Sequence, residues 1–189
     1  MKTPNWVKAY SMIGILPIIF CTLLSGRSIF RIPVELVLMY YHYYFFHRFL
    51  HEYPEYTANL HVQVHHTKVY NIPRWLELTI DFIFEMVCFC LLPLAIGYQT
   101  KMWICCPSVI IMISLTMTLG HIFNYSILGS NEIHQTHHKD VTVHFGPDFM
   151  DHLFETYKHD HEDGTMHIPP IIMATTITLL LKLYFPWND

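Results

Sequence analysis

The sequence predicts an all-α integral membrane protein with about four transmembrane helices and a helical, histidine-rich di-metal site at one membrane face. Three observations carry that prediction. Hydrophobic residues make up 52% of the 189 residues and charged ones only 14%. The apolar residues are gathered into blocks: Ala9–Gly26 carries no charged residue, and neither does Met102–Asn131. Outside these two blocks lie 14 of the 15 histidines, several at helical spacing. A helix needs about 20 predominantly apolar residues to cross the hydrocarbon core, and the second block exceeds that length.

The elements follow in order. The first span is Ala9–Gly26, with Pro17 expected to kink it. Lys2 and Lys8 precede it as they would precede a secretory signal, but Leu23-Leu24-Ser25-Gly26-Arg27 is a poor small-residue cleavage site, so the segment reads as a retained span. The second span is Pro33–His51, with Glu35 near one end and the aromatic run Tyr40–Phe46 in its second half, expected to be span core or an interfacial belt. A polar stretch with histidines continues to Arg74. The third span, Leu76–Tyr98, contains Asp81 and Glu85, and a tight connection at Gly97–Lys101 leads to a fourth, Met102–Tyr125. The polar tail Asn131–His167 holds most of the remaining histidines. The last apolar stretch, Ile171–Phe185, contains Lys182 and is short for a span, which suits a half-span or interfacial helix. Residues 1–189 read as a single membrane domain.

Four spans put the N-terminus and both histidine-rich stretches on one side of the bilayer. That side holds Lys2, Lys8, Arg48, Lys68, Arg74, Lys139 and Lys158, against Arg27, Arg31 and Lys101 on the other, so the positive-inside rule makes the histidine face cytosolic. In a eukaryote the membrane would be that of the endoplasmic reticulum. A net charge of −4 with no basic run gives no footprint for nucleic acid. Cys21, Cys88, Cys90, Cys105 and Cys106 all lie in apolar segments and are odd in number, which predicts reduced core thiols rather than a disulfide framework.

The histidines fall into groups: His47-x-x-x-His51, His61-x-x-x-His65-His66, a lone His121 near the end of the fourth span, and His134-x-x-His137-His138. Residues three or four apart share a helix face, with Cβ atoms about 5–6 Å apart. Each of the pairs His47/His51, His61/His65, His134/His137 and His134/His138 is therefore expected to grip one ion. Imidazole suits iron, zinc, copper or nickel, and nine imidazoles exceed what one ion can coordinate, so two ions are expected. His42, His152, His159, His161 and His167 lie outside this spacing and read as ordinary polar residues.

Together these motifs resemble those of the fatty acid hydroxylase/sterol desaturase superfamily, the membrane histidine-rich di-iron oxygenases. The likeness covers about residues 30–160. His47-Arg48-Phe49-Leu50-His51 is similar to the family's HRxLH, and Asp148-Phe-Met-Asp151-His-Leu-Phe154-Glu-Thr156 resembles its WDxLFGT ending. This chain has His144-Phe145-Gly146 where many members carry Asn-[Phe/Tyr]-Gly, Glu155 at the glycine of the ending, and Tyr125 where a second histidine sometimes follows His121.

The resemblance implies metal ligands at His47, His51, His61, His65, His66, His121, His134, His137 and His138, with His144 a possible addition. It implies two iron ions, replaceable by zinc, O2 as co-substrate, and a separate electron donor such as cytochrome b5 or a ferredoxin. The implied activity is an oxidoreductase of lipid metabolism, hydroxylating or desaturating a fatty acyl, sterol or related membrane lipid. No catalytic residue beyond the ligands stands out. Carboxylates expected to orient the imidazoles are Glu52, Glu132, Asp148 and Asp151, the nearest in sequence. The alternatives are a degenerate, non-catalytic member of the family or a metal-binding or transport protein. A transporter would carry its ionisable ligands at mid-membrane, where only Asp81 and Glu85 are found.

Overall fold

The structure is a computed structural model that describes residues 5–57, 60–66, 71–128, 132–158 and 164–189, all helix or connection with no strand among them. Helix α1 (Asn5–Ser25) runs unbroken through Pro17. α2 (Ile32–Glu52) follows a short turn, with Pro33 in its first turn where a missing N–H costs nothing. A π-helical turn, His61–His66, comes next. α3 (Arg74–Met86), a π-helical segment Val87–Leu91 and α4 (Leu92–Thr100) form one continuous helix.

α5 (Pro107–Leu119) passes into a third π-helical segment, Gly120–Ile127. α6 (Glu132–Lys139), α7 (Asp148–Leu153) and α8 (Ile168–Tyr184) complete the chain. Arg74–Thr100 (27 residues) and Pro107–Asn124 (18 residues) are long and apolar enough to cross a membrane.

α5 is the axis of the molecule: all its residues but Met117 are buried. Around it pack Cys21 and Leu24 of α1, Leu36, Met39 and Tyr40 of α2, and Ile171 and Ala174 of α8. Apolar residues also face outward, among them Leu23, Ile83, Leu91, Ile96 and Leu183. Hydrophobic burial cannot account for these in water, and a lipid-facing perimeter can.

One connection differs from expectation. The helix starting at Arg74 continues to Thr100, with Lys101 in a left-handed conformation (φ 58°), and α5 begins only at Pro107. The fourth helix therefore starts five residues later than the composition suggested, because Pro107 sets its first turn. The Trp103 ring fills the connection, and a Cβ on Gly97 would lie 2.6 Å from it. Buried Glu35 accepts the Cys106 N–H (2.9 Å) and pairs with Arg31 (2.6 Å), tying α2 to the start of α5.

The C-terminal apolar stretch, expected as a half-span or interfacial helix over Ile171–Phe185, is a helix over Ile168–Tyr184. α8 has 17 residues, about 25 Å at 1.5 Å per residue, and lies antiparallel to α5. At one end Pro170 approaches Gly120. At the other, Lys182 Nζ donates to the Leu24 carbonyl (2.7 Å), and Asp189 accepts from the Ser108 N–H (2.8 Å) and hydroxyl (2.7 Å). The five cysteines are free and buried, as their apolar setting predicts.

Candidate metal centre

The nine grouped histidines meet at one end of the bundle and sort into two sets. The first is His47, His51, His61, His66 and His137; their ligand nitrogens lie within 4.8 Å of one another. His51 Nε2 is 3.2 Å from His47 Nε2, 3.1 Å from His61 Nε2 and 3.1 Å from His137 Nε2. His66 Nε2 is 3.3 Å from His61 Nε2. The second set is His65, His121 and His134, joined by His138, whose Nε2 is 2.8 Å from His134 Nε2.

The motif pairs are divided in a way that α-helical spacing does not predict. His47 and His51 serve one set and His134 and His138 the other, as i, i+4 spacing requires. His61 and His65 separate: the π turn widens the helix by about one residue per turn, so His61 pairs with His66 and sends His65 to the second set. His137 likewise parts from His134. The expectation that His61/His65 and His134/His137 each grip one ion is therefore corrected; each histidine-rich run feeds both sets.

The outward nitrogens are held. His47 Nδ1 donates to the Phe145 carbonyl (2.8 Å) and His137 Nδ1 to the Val143 carbonyl (2.6 Å). His65 Nδ1 bonds Asp81 (3.0 Å), and His121 Nδ1 bonds Glu85. A ring whose Nδ1–H is donated outward presents a bare lone pair at Nε2. As neutral rings His65 and His121 would both do so, and their Nε2 atoms lie 2.9 Å apart. Two lone pairs at that distance repel unless a cation lies between them.

The first set has the same property. A neutral ring can place one proton on one contact, and His51 Nε2 has three. Metal–nitrogen bonds of about 2.1 Å put neighbouring ligand atoms about 3.0 Å apart in an octahedron and about 3.4 Å apart in a tetrahedron. The first set's separations of 3.1–3.3 Å fall in that range, and the 2.8 and 2.9 Å of the second set lie just below it. The donor set thus fits two imidazole-bound transition-metal ions. Burial, reinforced by neighbouring imidazoles, lowers the pKa values of His61, His65, His66 and His134 well below the ordinary range. His137 is lowered in the same way, chiefly by burial. All five are therefore neutral, the form that binds metal.

The orienting carboxylates are not those nearest in sequence. Asp81 and Glu85, which look like blemishes in an apolar span, lie buried on one face of α3 and hold His65 and His121. Their i, i+4 spacing on that helix was the available signal. Glu52 pairs instead with exposed Arg48 (2.7 Å). The side chains of Glu132, Asp148 and Tyr125 lie outside what the structure describes. Asp151 acts at one remove, accepting the N–H groups of Phe145 (2.9 Å) and Gly146 (2.8 Å) and the Thr156 hydroxyl (2.8 Å).

His144 belongs to neither set. Its Nε2 accepts the Lys158 N–H (3.0 Å), and its backbone is left-handed (φ 57°). Among the histidines read as bystanders, His42 bonds the Cys88 carbonyl (3.1 Å) that the π segment releases, and His152 stacks on Tyr157. His159 and His161 lie outside the described residues. His167 lines the cavity described next. The aromatic run of α2 proves to be a clamp: Tyr41, Tyr44 and Phe45 surround Phe154, and the Tyr44 hydroxyl meets Thr156 Oγ1 (2.9 Å).

Beside the histidines lies a cavity that is partly open to the exterior. His47 from the first set and His121 and His134 from the second reach its wall. Tyr40, Met117, Ile133, Phe145 and Ile171 make much of the remainder apolar.

Comparison with known proteins agrees with this geometry. The sequence model of the fatty acid hydroxylase family matches residues 32–156, which contain all nine clustered histidines, Asp81, Glu85 and Asp151. No curated protein and no solved structure matches the chain. With well over half its length covered by that match, the chain belongs to the fatty acid hydroxylase family.

Proposed function

We propose that this protein is an oxygen-dependent di-iron enzyme of a multi-pass membrane that hydroxylates or desaturates a lipid C–H bond. The observation that supports this most is the meeting of two imidazole sets with one apolar-walled cavity. His47, His51, His61, His66 and His137 would hold one iron and His65, His121, His134 and His138 the other. Bound there, the ions supply the reduction of O2 and the cleavage of an unactivated C–H bond.

The chain's own residues do the rest. Phe145 O, Val143 O, Asp81 and Glu85 fix the ring orientations. Tyr40, Met117, Ile133 and Ile171 exclude water and hold an alkyl segment against the edges of His47, His121 and His134. Hydroxylation consumes one O2, two electrons and two protons to give the alcohol and one water. Desaturation consumes the same and gives a double bond and two waters. Neither balance closes without a reductant, so a separate donor such as cytochrome b5 or a ferredoxin must dock on the histidine face. That face is cytosolic in our reading, and the membrane is that of the endoplasmic reticulum in a eukaryote.

Lipid profiles of cells with and without the protein, grown under 18O2, test this. One labelled oxygen in a new lipid marks hydroxylation, and an unlabelled new double bond marks desaturation. An unchanged lipid profile from a chain that carries two irons would leave a metal-binding, non-catalytic member of the family.

A further inference from the structure

The two histidine sets are supported differently. In the four-histidine set, two rings are backed by buried carboxylates, His65 by Asp81 and His121 by Glu85. In the five-histidine set, two rings are backed only by peptide carbonyls, those of Phe145 and Val143. Two more rings of that set, His51 and His66, have a buried Nδ1 with no partner. Charge follows the same division. Among the described residues, two carboxylates stand directly behind one ion position and none directly behind the other; Asp151 lies a further peptide away. The third buried acid of α3, Glu77, is paired with Arg74 and serves neither set.

We propose that Asp81 and Glu85 are positioning residues that make the two metal positions inequivalent, so that the four-histidine position holds its ion tightly and the five-histidine position exchanges it. This rests on the di-metal reading above. A carboxylate that accepts the far N–H makes an imidazole a stronger donor and fixes its ring, and losing such a partner costs about 10–100-fold in metal affinity. Two of them act on four rings here. The fifth imidazole of the other set opposes this ordering. Yet two of its five rings are held only by their own side-chain packing, so binding must order them. The carboxylates also neutralise a dication in a buried site, where Coulomb interactions are strongest.

The test uses zinc alone and reads release rather than turnover. The full chain in detergent, loaded with zinc, is challenged with a chromogenic chelator. Two phases of one equivalent each are expected. Glu85→Gln and Asp81→Asn should each speed the slow phase by about 10–100-fold and leave the fast phase alone. His51→Ala should alter only the fast phase, and Glu77→Gln should alter neither. A single phase in the unaltered chain overturns the proposal without recourse to any variant. So does a slow phase that responds to His51→Ala rather than to Glu85→Gln. Saturation below two equivalents would instead sink the di-metal reading, and the inequivalence with it.

Discussion

Asp151 does not touch His47, yet it sets where His47 points. Its Oδ1 accepts the Phe145 N–H at 2.9 Å, and the carbonyl of that same Phe145 accepts His47 Nδ1–H at 2.8 Å. One peptide separates a buried carboxylate from a ring of the five-histidine set. Asp151→Ala would strand the Phe145 and Gly146 N–H groups and the Thr156 hydroxyl. Each buried, unsatisfied group costs about 1–3 kcal/mol, so we expect destabilisation by about 3 kcal/mol or more, with loss of zinc from one position. Thermal unfolding and metal analysis of the purified variant measure both; an unchanged melting temperature would refute the linkage.

Single histidine replacements should separate the two sets. His51→Ala and His138→Ala are each expected to lower bound metal from two equivalents towards one, and His42→Ala to leave it unchanged. His42 bonds a peptide carbonyl outside both sets. Metal content measured after iron or zinc loading decides this, and two full equivalents in His138→Ala would remove that residue from the ligand set.

His144 and Glu155 both adopt left-handed backbone, φ 57° and 56°. That conformation costs an ordinary side chain about 1–2 kcal/mol and is tolerated by glycine and asparagine, the residues that the family pattern has at these two positions. Glycine also carries an entropy cost of about 0.5–1 kcal/mol. Glu155→Gly should therefore stabilise the chain by up to about 1 kcal/mol, a rise in melting temperature of about 2–4 °C. His144→Asn should keep both metal equivalents. A lower melting temperature for the first, or a lost equivalent for the second, would show that these side chains do more than fill a strained turn.

The metal-free chain should lose stability in acid. The pKa values of His61, His65, His66, His134 and His137 are lowered by burial. The unfolded chain therefore binds protons at about pH 6.5 and below while the folded chain does not, and stability falls as pH drops through that value. Melting curves of chelator-treated protein from about pH 8 to about pH 5 should show a falling midpoint that starts near 6.5. A flat profile would mean that these rings are not buried neutral.

α8 should end on the membrane side opposite the histidines. Its first turn lies by Gly120 and its last by Leu24 and Ser108. A reporter placed after Asp189 should therefore map to the face opposite one placed in the 140–143 turn. In addition, Asp189→Ala removes the acceptor at the start of α5 and should cost about 0.5–2 kcal/mol. Both reporters on one face would return α8 to an interfacial helix.

Much of this was legible in the chain before folding. Uncharged blocks fix helices and their approximate ends, because an apolar stretch of span length has few other stable states in a bilayer. Histidine spacing picked out the nine rings that converge, since i, i+4 residues share a face wherever the helix lies. The family motifs identified the Asp148–Thr156 ending. The start of α5 and the full length of α8 were less legible, because Pro107 and the long contact with α5 set them rather than hydropathy.

What the sequence by itself determined was therefore the helical class, the histidines that gather and the chemistry their donor atoms favour. Tertiary structure alone decided how those histidines divide. A π turn, a local widening that no spacing rule registers, sends His65 away from His61. Packing of α3 beside His65 and His121 turns Asp81 and Glu85 from flaws in an apolar helix into the groups that hold two rings. The sequence shows that the two carboxylates share a helix face, but their contacts with histidines 16 and 36 positions away exist only once the helices between them have folded back.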